Sequence, residues 1–175
     1  MKKDFDIEDT WIPHEIHPET PAEGRASTEL FNQFDIDQVV TTCRQRGEPY
    51  NLEFGNMAWL SNTRLSLEAA EFARDMGRYE EFHHNVFKAY FSENRDIGDM
   101  AVLLDVAQKS GLNSEKLKLV LDEKRYADRV KEGSETARTD GVTAIPAFFI
   151  EGGETITGAV SEERFREVLK SVAEG

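Results

Sequence analysis

From residue 62 to residue 140 the apolar positions recur at the spacing of a helix, and at the two ends of the chain they do not. Leu65, Ala69, Phe72, Ala73 and Met76 fall at i, i+4, i+7, i+8 and i+11, one stripe of a helix that ends at Gly77. A second helix carries Tyr79, Phe82, Val86 and Tyr90. A third starts at Asp99 as its N-cap, buries Met100, Leu103, Leu104 and Ala107, and stops at Gly111. A fourth has Asn113 as N-cap, with Leu112 and Leu117 placed to clip across the cap as a hydrophobic staple. A fifth, from about Tyr126 to Asp140, is mostly charged outside Tyr126, Val130 and Ala137. Five helices in mid-chain constrain the fold strongly: any sheet has to be built from the ends.

Those ends read as strand, turn and helix. Residues 5–11 alternate apolar and polar, which predicts a strand with Phe5, Ile7 and Trp11 on one face, ended by Pro13 and Pro18. Residues 15–28, with Pro18, Pro21 and Gly24, read as an extended loop. A short helix is predicted from about Asp35 to Arg46, stopping at Gly47. Beyond the helical block, residues 147–150, a Gly152-Gly153 turn and residues 155–157 predict a hairpin. Ser161 caps a last helix, with Glu162 and Glu163 at the positive end of its dipole, Val160 and Phe165 as its staple, and Phe165, Val168, Leu169 and Val172 as its buried stripe. The order is strand, helical insertion over about 62–140, hairpin and helix. With no internal repeat or linker, it predicts one α/β domain over residues 1–175. A chain of this length buries about 70% of the surface its unfolded state exposes.

Charge and cysteine count narrow the function. Thirty-four acidic side chains against 21 basic ones give a net charge of −13, which argues against nucleic acid and against anionic membrane surfaces, since both need a basic face. Lys2 and Lys3 are followed by acid at Asp4 rather than by the apolar run of a secretory signal. The longest apolar run, residues 144–150, contains Pro146 and is far short of the ~18 residues of a spanning helix. A cytoplasmic protein is the expectation. The single cysteine, Cys43, makes no internal disulfide and cannot supply a dithiol pair within one chain.

Pro146 carries the most information. A proline opening a strand often marks a cis bond, since cis forms are essentially confined to X-Pro, although a proline that merely starts a strand accounts for the same pattern. The stretch Gly141-Val142-Thr143-Ala144-Ile145-Pro146-Ala147-Phe148-Phe149-Ile150 resembles the G-V-x-x-V-P-x-F-x-I signature of DsbA-like thioredoxin-fold proteins. Residues 11–21 and residues 87–99 resemble the FrnE-like branch of that family, and Gly152, Gly153 and Gly158-Ala159 match its hairpin and exit. The likeness runs in order from about Phe5 to Val172. It implies a thioredoxin-like α/β fold with an all-helical insertion, thioredoxin-like elements at about 5–50 and 141–174, and thiol–disulfide oxidoreductase or isomerase chemistry. In that family a cis-proline stands beside the reactive cysteines and presents backbone groups to an extended substrate, which assigns Ile145 and Pro146 to a substrate groove.

The departure from the family is as informative. Its members open with a strand and then Cys-x-x-Cys at a helix N-terminus, where the dipole and free N–H groups stabilise a thiolate. This sequence matches from the family's second strand onward, so the N-terminal part of the motif has no counterpart in it. Either a homodimer completes the sheet, because bare edges recruit other chains, or the sequence starts at an internal methionine about 30 residues late. Cys43 is a weak candidate replacement: it reads Cys43-Arg44-Gln45-Arg46, with arginine where a second cysteine would stand, near a helix end whose dipole disfavours a thiolate. An inert buried cysteine fits it better.

Other groups weigh towards structure. His14 and His17 lie three apart on an extended segment and point to opposite faces, and His83-His84 diverge by about 100° on a helix, so neither pair clamps a metal. Asn62 stands where FrnE-like and kappa-class glutathione transferase relatives line their groove, though it serves equally as a helix N-cap. Trp11 and Trp59 are expected in the core, with Trp59 an alternative platform beside the groove. The resemblance therefore implies a protein of the DsbA/FrnE type acting on protein thiols or disulfides, and the absent Cys-x-x-Cys predicts that this sequence is inactive in dithiol exchange. Alternatives are a glutathione-dependent isomerase or transferase, and a non-enzymatic peptide-binding or assembly module. No cofactor is implied beyond glutathione.

Overall fold

The computed structural model describes residues 1–173, and its chain separates into two compact units. One holds residues 17–132; the other joins residues 1–16 to the chain from Gly133 onward.

In the first unit β1 (Arg25–Ala26) and β2 (Trp59–Leu60) pair antiparallel, Arg25 opposite Leu60 and Ala26 opposite Trp59. A single helical turn, α1 (Ser27–Leu30), follows β1, and α2 (Ile36–Gly47) leads through a 3-10 turn at Glu48–Tyr50 towards β2. The helical block is α3 (Arg64–Asp75), α4 (Tyr79–Phe87) running into one π-helical turn (Lys88–Ser92), α5 (Met100–Lys109), α6 (Ser114–Asp122) and the start of α7 (Ala127–Thr139). Asp99 and Asn113 are the expected caps, accepting from the backbone N–H of Ala101 (2.6 Å) and Lys116 (2.8 Å), and Asp35 caps α2 in the same way, accepting from the Gln38 N–H (3.1 Å). The stripes converge on one core, in which Phe82, Leu103 and Leu117 are fully buried among Ala69, Phe72, Val86, Val106 and Leu121. Each such aliphatic or aromatic side chain contributes about 1.5–3 kcal/mol of burial.

In the second unit the end of α7 is followed by β3 (Ala147–Phe148), antiparallel to β4 (Ile156–Thr157), and by α8 (Glu162–Ala173). Phe148 meets Phe165 edge to face at 4.7 Å, and Ile156 and Val168 are buried. Ser161 Oγ accepts from the Arg164 N–H at 3.2 Å, the expected cap of α8.

Four expectations are corrected. Residues 5–11 form no strand: the N–H groups of Asp4 and Phe5 turn back onto the Met1 carbonyl, and the segment has no ladder partner among the described residues. Alternation sets which side chains share a face, but a strand needs a neighbour to bond to. Trp11 and Trp59 are not core residues, being 42% and 43% exposed. Residues 15–28 are not all loop, since β1 and the start of α1 lie within them. The first hairpin strand stops at Phe148, leaving Phe149 exposed.

Candidate functional site

The proline segment is built from α7 outward. Gly141, at φ 76°, ends that helix: the Val142 N–H reaches back to the Ala137 carbonyl (2.9 Å), a closure that needs a left-handed residue between them. The chain then extends to Ile145 and Pro146, whose connecting peptide is cis. The Pro146 carbonyl accepts from the Gly158 N–H at 2.7 Å, which ties the start of β3 to the end of β4. On its other side the segment is open: Ile145 is 59% exposed, and Pro146 and Phe149 are exposed with it.

The same unit contains His14. Its Nδ1 is buried without a hydrogen-bond partner, and burial, followed by the charge of Arg138, holds the ring below the ordinary histidine range against the pull of Glu15. The neighbouring Glu15 N–H donates to Ser134 Oγ (3.0 Å), and Gly133 sits so close to Pro13 that a Cβ would lie 2.5 Å from its carbonyl oxygen. This imidazole is packed against a helix.

Asn62, Trp59 and Cys43 belong to the other unit. Asn62 is engaged at both ends, its Nδ2 donating to the Thr20 carbonyl (2.7 Å) and its Oδ1 accepting from the Arg64 N–H (3.1 Å). The N-cap position of α3 is Thr63, but the capping bond comes from Asn62, one residue earlier. Trp59 lies on β2 with its indole edge against Gly24, where φ is 77° and a Cβ would fall 2.4 Å from Nε1. Its carbonyl accepts from the Tyr90 hydroxyl at 3.0 Å. Cys43 is half-buried near the end of α2, and its neighbour Arg44 spends its guanidinium on the carbonyls of Phe54 (2.9 Å) and Gly55 (3.0 Å). Ile145 and Pro146 thus stand together at one sheet, and Trp59 and Asn62 together at another. His17, in the unit of Asn62, bonds Glu19 (3.2 Å) and meets Phe31 edge-on. Among the described residues no three His, Cys, Asp or Glu side chains are grouped to hold a metal ion.

Two features escaped the sequence reading. Asn94 adopts φ 53° just past the π turn, and its Oδ1 accepts from the N–H groups of Asn56 (2.8 Å) and Met57 (3.3 Å). Tyr79, His83 and Phe87, spaced by four, stack along α4 beside the buried stripe of Phe82 and Val86. The spacing was visible, but a second stripe carries no core signal.

The family model of the DSBA-like thioredoxin domain matches residues 2–170, so the chain belongs to that family, one of thiol–disulfide oxidoreductase-like proteins with a mixed, mostly helical α/β fold. It is 27% identical over 170 residues to the uncharacterized protein YwbO of Bacillus subtilis (strain 168), an alignment spanning 95% of this chain and 83% of that one. The fold is also similar to the crystal structure of a probable DsbA oxidoreductase, SCO1869 of Streptomyces coelicolor. The TM-score is 0.84 at 19% identity, over 93% of this chain and 74% of the other. No helix among the described residues is long and apolar enough to cross a membrane.

Proposed function

We propose that these 175 residues act as the proline-side half of a DsbA-type groove, of the FrnE-like branch, which holds an extended polypeptide without exchanging a dithiol. The observation that carries this is the exposure of Ile145 and Phe149 at either end of β3 in a family member with one cysteine. Thiol–disulfide exchange needs an attacking thiolate and a second thiol to resolve the mixed disulfide, and the sequence contains no pair. A half-open apolar segment at the edge of a two-stranded sheet still suits an extended chain, which gains main-chain hydrogen bonds from the edge and side-chain contact from Ile145 and Phe149.

The test is a fluorescence-anisotropy titration with labelled, fully alkylated insulin B chain, which offers extended backbone but no thiol. Binding by the wild-type chain, weakened about tenfold by Ile145→Glu, is expected. An absence of binding, or equal affinity in Ile145→Glu, overturns the proposal. The same open edges support a homodimer, because among the described residues each sheet has two strands. Light scattering at micromolar concentration is expected to give twice the chain mass; a monomer contradicts it.

A further inference from the structure

Residues 13–15 lie on α7 at a place where the helix is shaped to receive them. Gly133, in the middle of that helix, leaves open the space in which a Cβ would meet the Pro13 carbonyl oxygen at 2.5 Å and its ring carbons at 3.0 and 3.1 Å. Glycine is disfavoured inside a helix, and here it permits the close approach of a second backbone. Ser134, the next residue and 3% exposed, accepts the Glu15 N–H at 3.0 Å. Between these two anchors stands His14.

The His14 ring turns one nitrogen into the contact. Its Nδ1 is buried and has no hydrogen-bond partner, which suits the lone pair of a neutral imidazole and penalises the N–H of a protonated one. The charged groups acting on the ring are Arg138, one turn beyond Ser134 on α7, and Glu15 of its own segment. Burial and Arg138 both favour the neutral form and outweigh Glu15, so the docked ring titrates below the ordinary histidine range. An undocked segment then binds more protons than a docked one, and docking loses stability as pH falls through the value of a free imidazole, about 6.5. Asp4 is held below the ordinary carboxylate range by its hydrogen bond to Arg166 of α8 (2.8 Å), so this pair keeps its charge over the same interval.

We propose that residues 13–15 form a pH-sensitive clip: with His14 neutral they are seated on α7 at Gly133 and Ser134, and protonation of His14 lifts them off while Asp4 stays tied to Arg166. The Arg138 carbonyl takes the Gly141 N–H at 3.1 Å, so the clip sits on the last turns of the helix that leads into the proline segment. It does not depend on the function proposed for that segment.

Hydrogen exchange followed by NMR on the full chain reads the clip at the Glu15 amide, with the buried Leu103 amide, bonded to the Asp99 carbonyl, as the internal reference. Between about pH 7.5 and about pH 5.5 the Glu15 protection factor is expected to fall severalfold relative to that of Leu103, the ceiling being the about tenfold change in the neutral fraction of a free imidazole. In His14→Asn, whose amide takes the place of Nδ1 without titrating, the ratio is expected to stay constant. Arg138→Gln, which removes the repulsion, is expected to make the fall smaller, and it carries the test should His14→Asn lose the protection of Leu103. His17→Asn is expected to show the wild-type fall. A ratio in wild type that does not change with pH, an undiminished fall in a folded His14→Asn or in Arg138→Gln, or loss of the fall in His17→Asn overturns the proposal.

Discussion

Asn94 and Gly55 show how single side chains fix a segment that no pattern predicts. The strap between α2 and β2 is held by Arg44 on two carbonyls, by Ser92 Oγ on the Glu53 carbonyl (2.7 Å), and by Asn94 on two N–H groups. Gly55 lets Asn94 approach so closely that a Cβ would lie 2.2 Å from its Oδ1. Met57, two residues on, is held at φ 50°, a conformation that costs a non-glycine residue of order 1 kcal/mol and persists because these bonds over-determine it. Gly55→Ala is therefore expected to destabilise the chain by about 1–3 kcal/mol. In an Asn94→Gly background, which removes the clash and keeps the left-handed turn, the same change is expected to cost much less. Urea midpoints of the four chains in a double-mutant cycle measure this, and additive effects would contradict it. None of it was legible beforehand, since one asparagine in a left-handed conformation leaves no periodic trace.

Helices α3 and α7 are tied by charge as well as packing. Arg129 reaches Asp75 (2.9 Å) and the buried Glu71 (3.3 Å), and the Tyr126 hydroxyl donates to Asp75 (2.9 Å). The Arg129 hydrogen bond, with help from Tyr126, holds the Asp75 carboxyl below the ordinary carboxylate range. A carboxyl depressed in the folded state stabilises fully above its unfolded pKa, about 4, and less as pH falls through its lower folded value. The stability gap between wild type and Arg129→Met is thus expected to be largest near neutral pH and to shrink below about pH 4. A gap of constant size in urea unfolding across that range would count against the ion pairing. Packing on α6 is read more simply. Leu117→Ala is expected to cost about 2–5 kcal/mol and Leu119→Ala, at 51% exposure, under about 0.5 kcal/mol. These helices were readable because their determinants are local: Asp99, Asn113 and Ser161 each cap the turn that follows, and Leu112 and Leu117 are both buried across the Asn113 cap. The strand expected at residues 5–11 failed for the opposite reason, since a ladder depends on a distant partner that alternation cannot name.

Across the chain, the signature at residues 141–150 coincides with a cis Ile145–Pro146 peptide directly ahead of β3, and the family match over residues 2–170 agrees with the order of its motifs. Exposure was not legible, because an apolar residue reads the same whether its face is covered or open; Trp59, Ile145 and Phe149 are all open. The chain keeps the fold of an oxidoreductase family and has one thiol, half-buried on α2 beside an arginine that is already occupied. The most direct measurement is insulin reduction by this polypeptide with dithiothreitol as reductant, followed by precipitation of the B chain. A rate equal to that of dithiothreitol alone, in both wild type and Cys43→Ser, is predicted. Clear protein-dependent acceleration, whether or not it survives Cys43→Ser, would contradict the account.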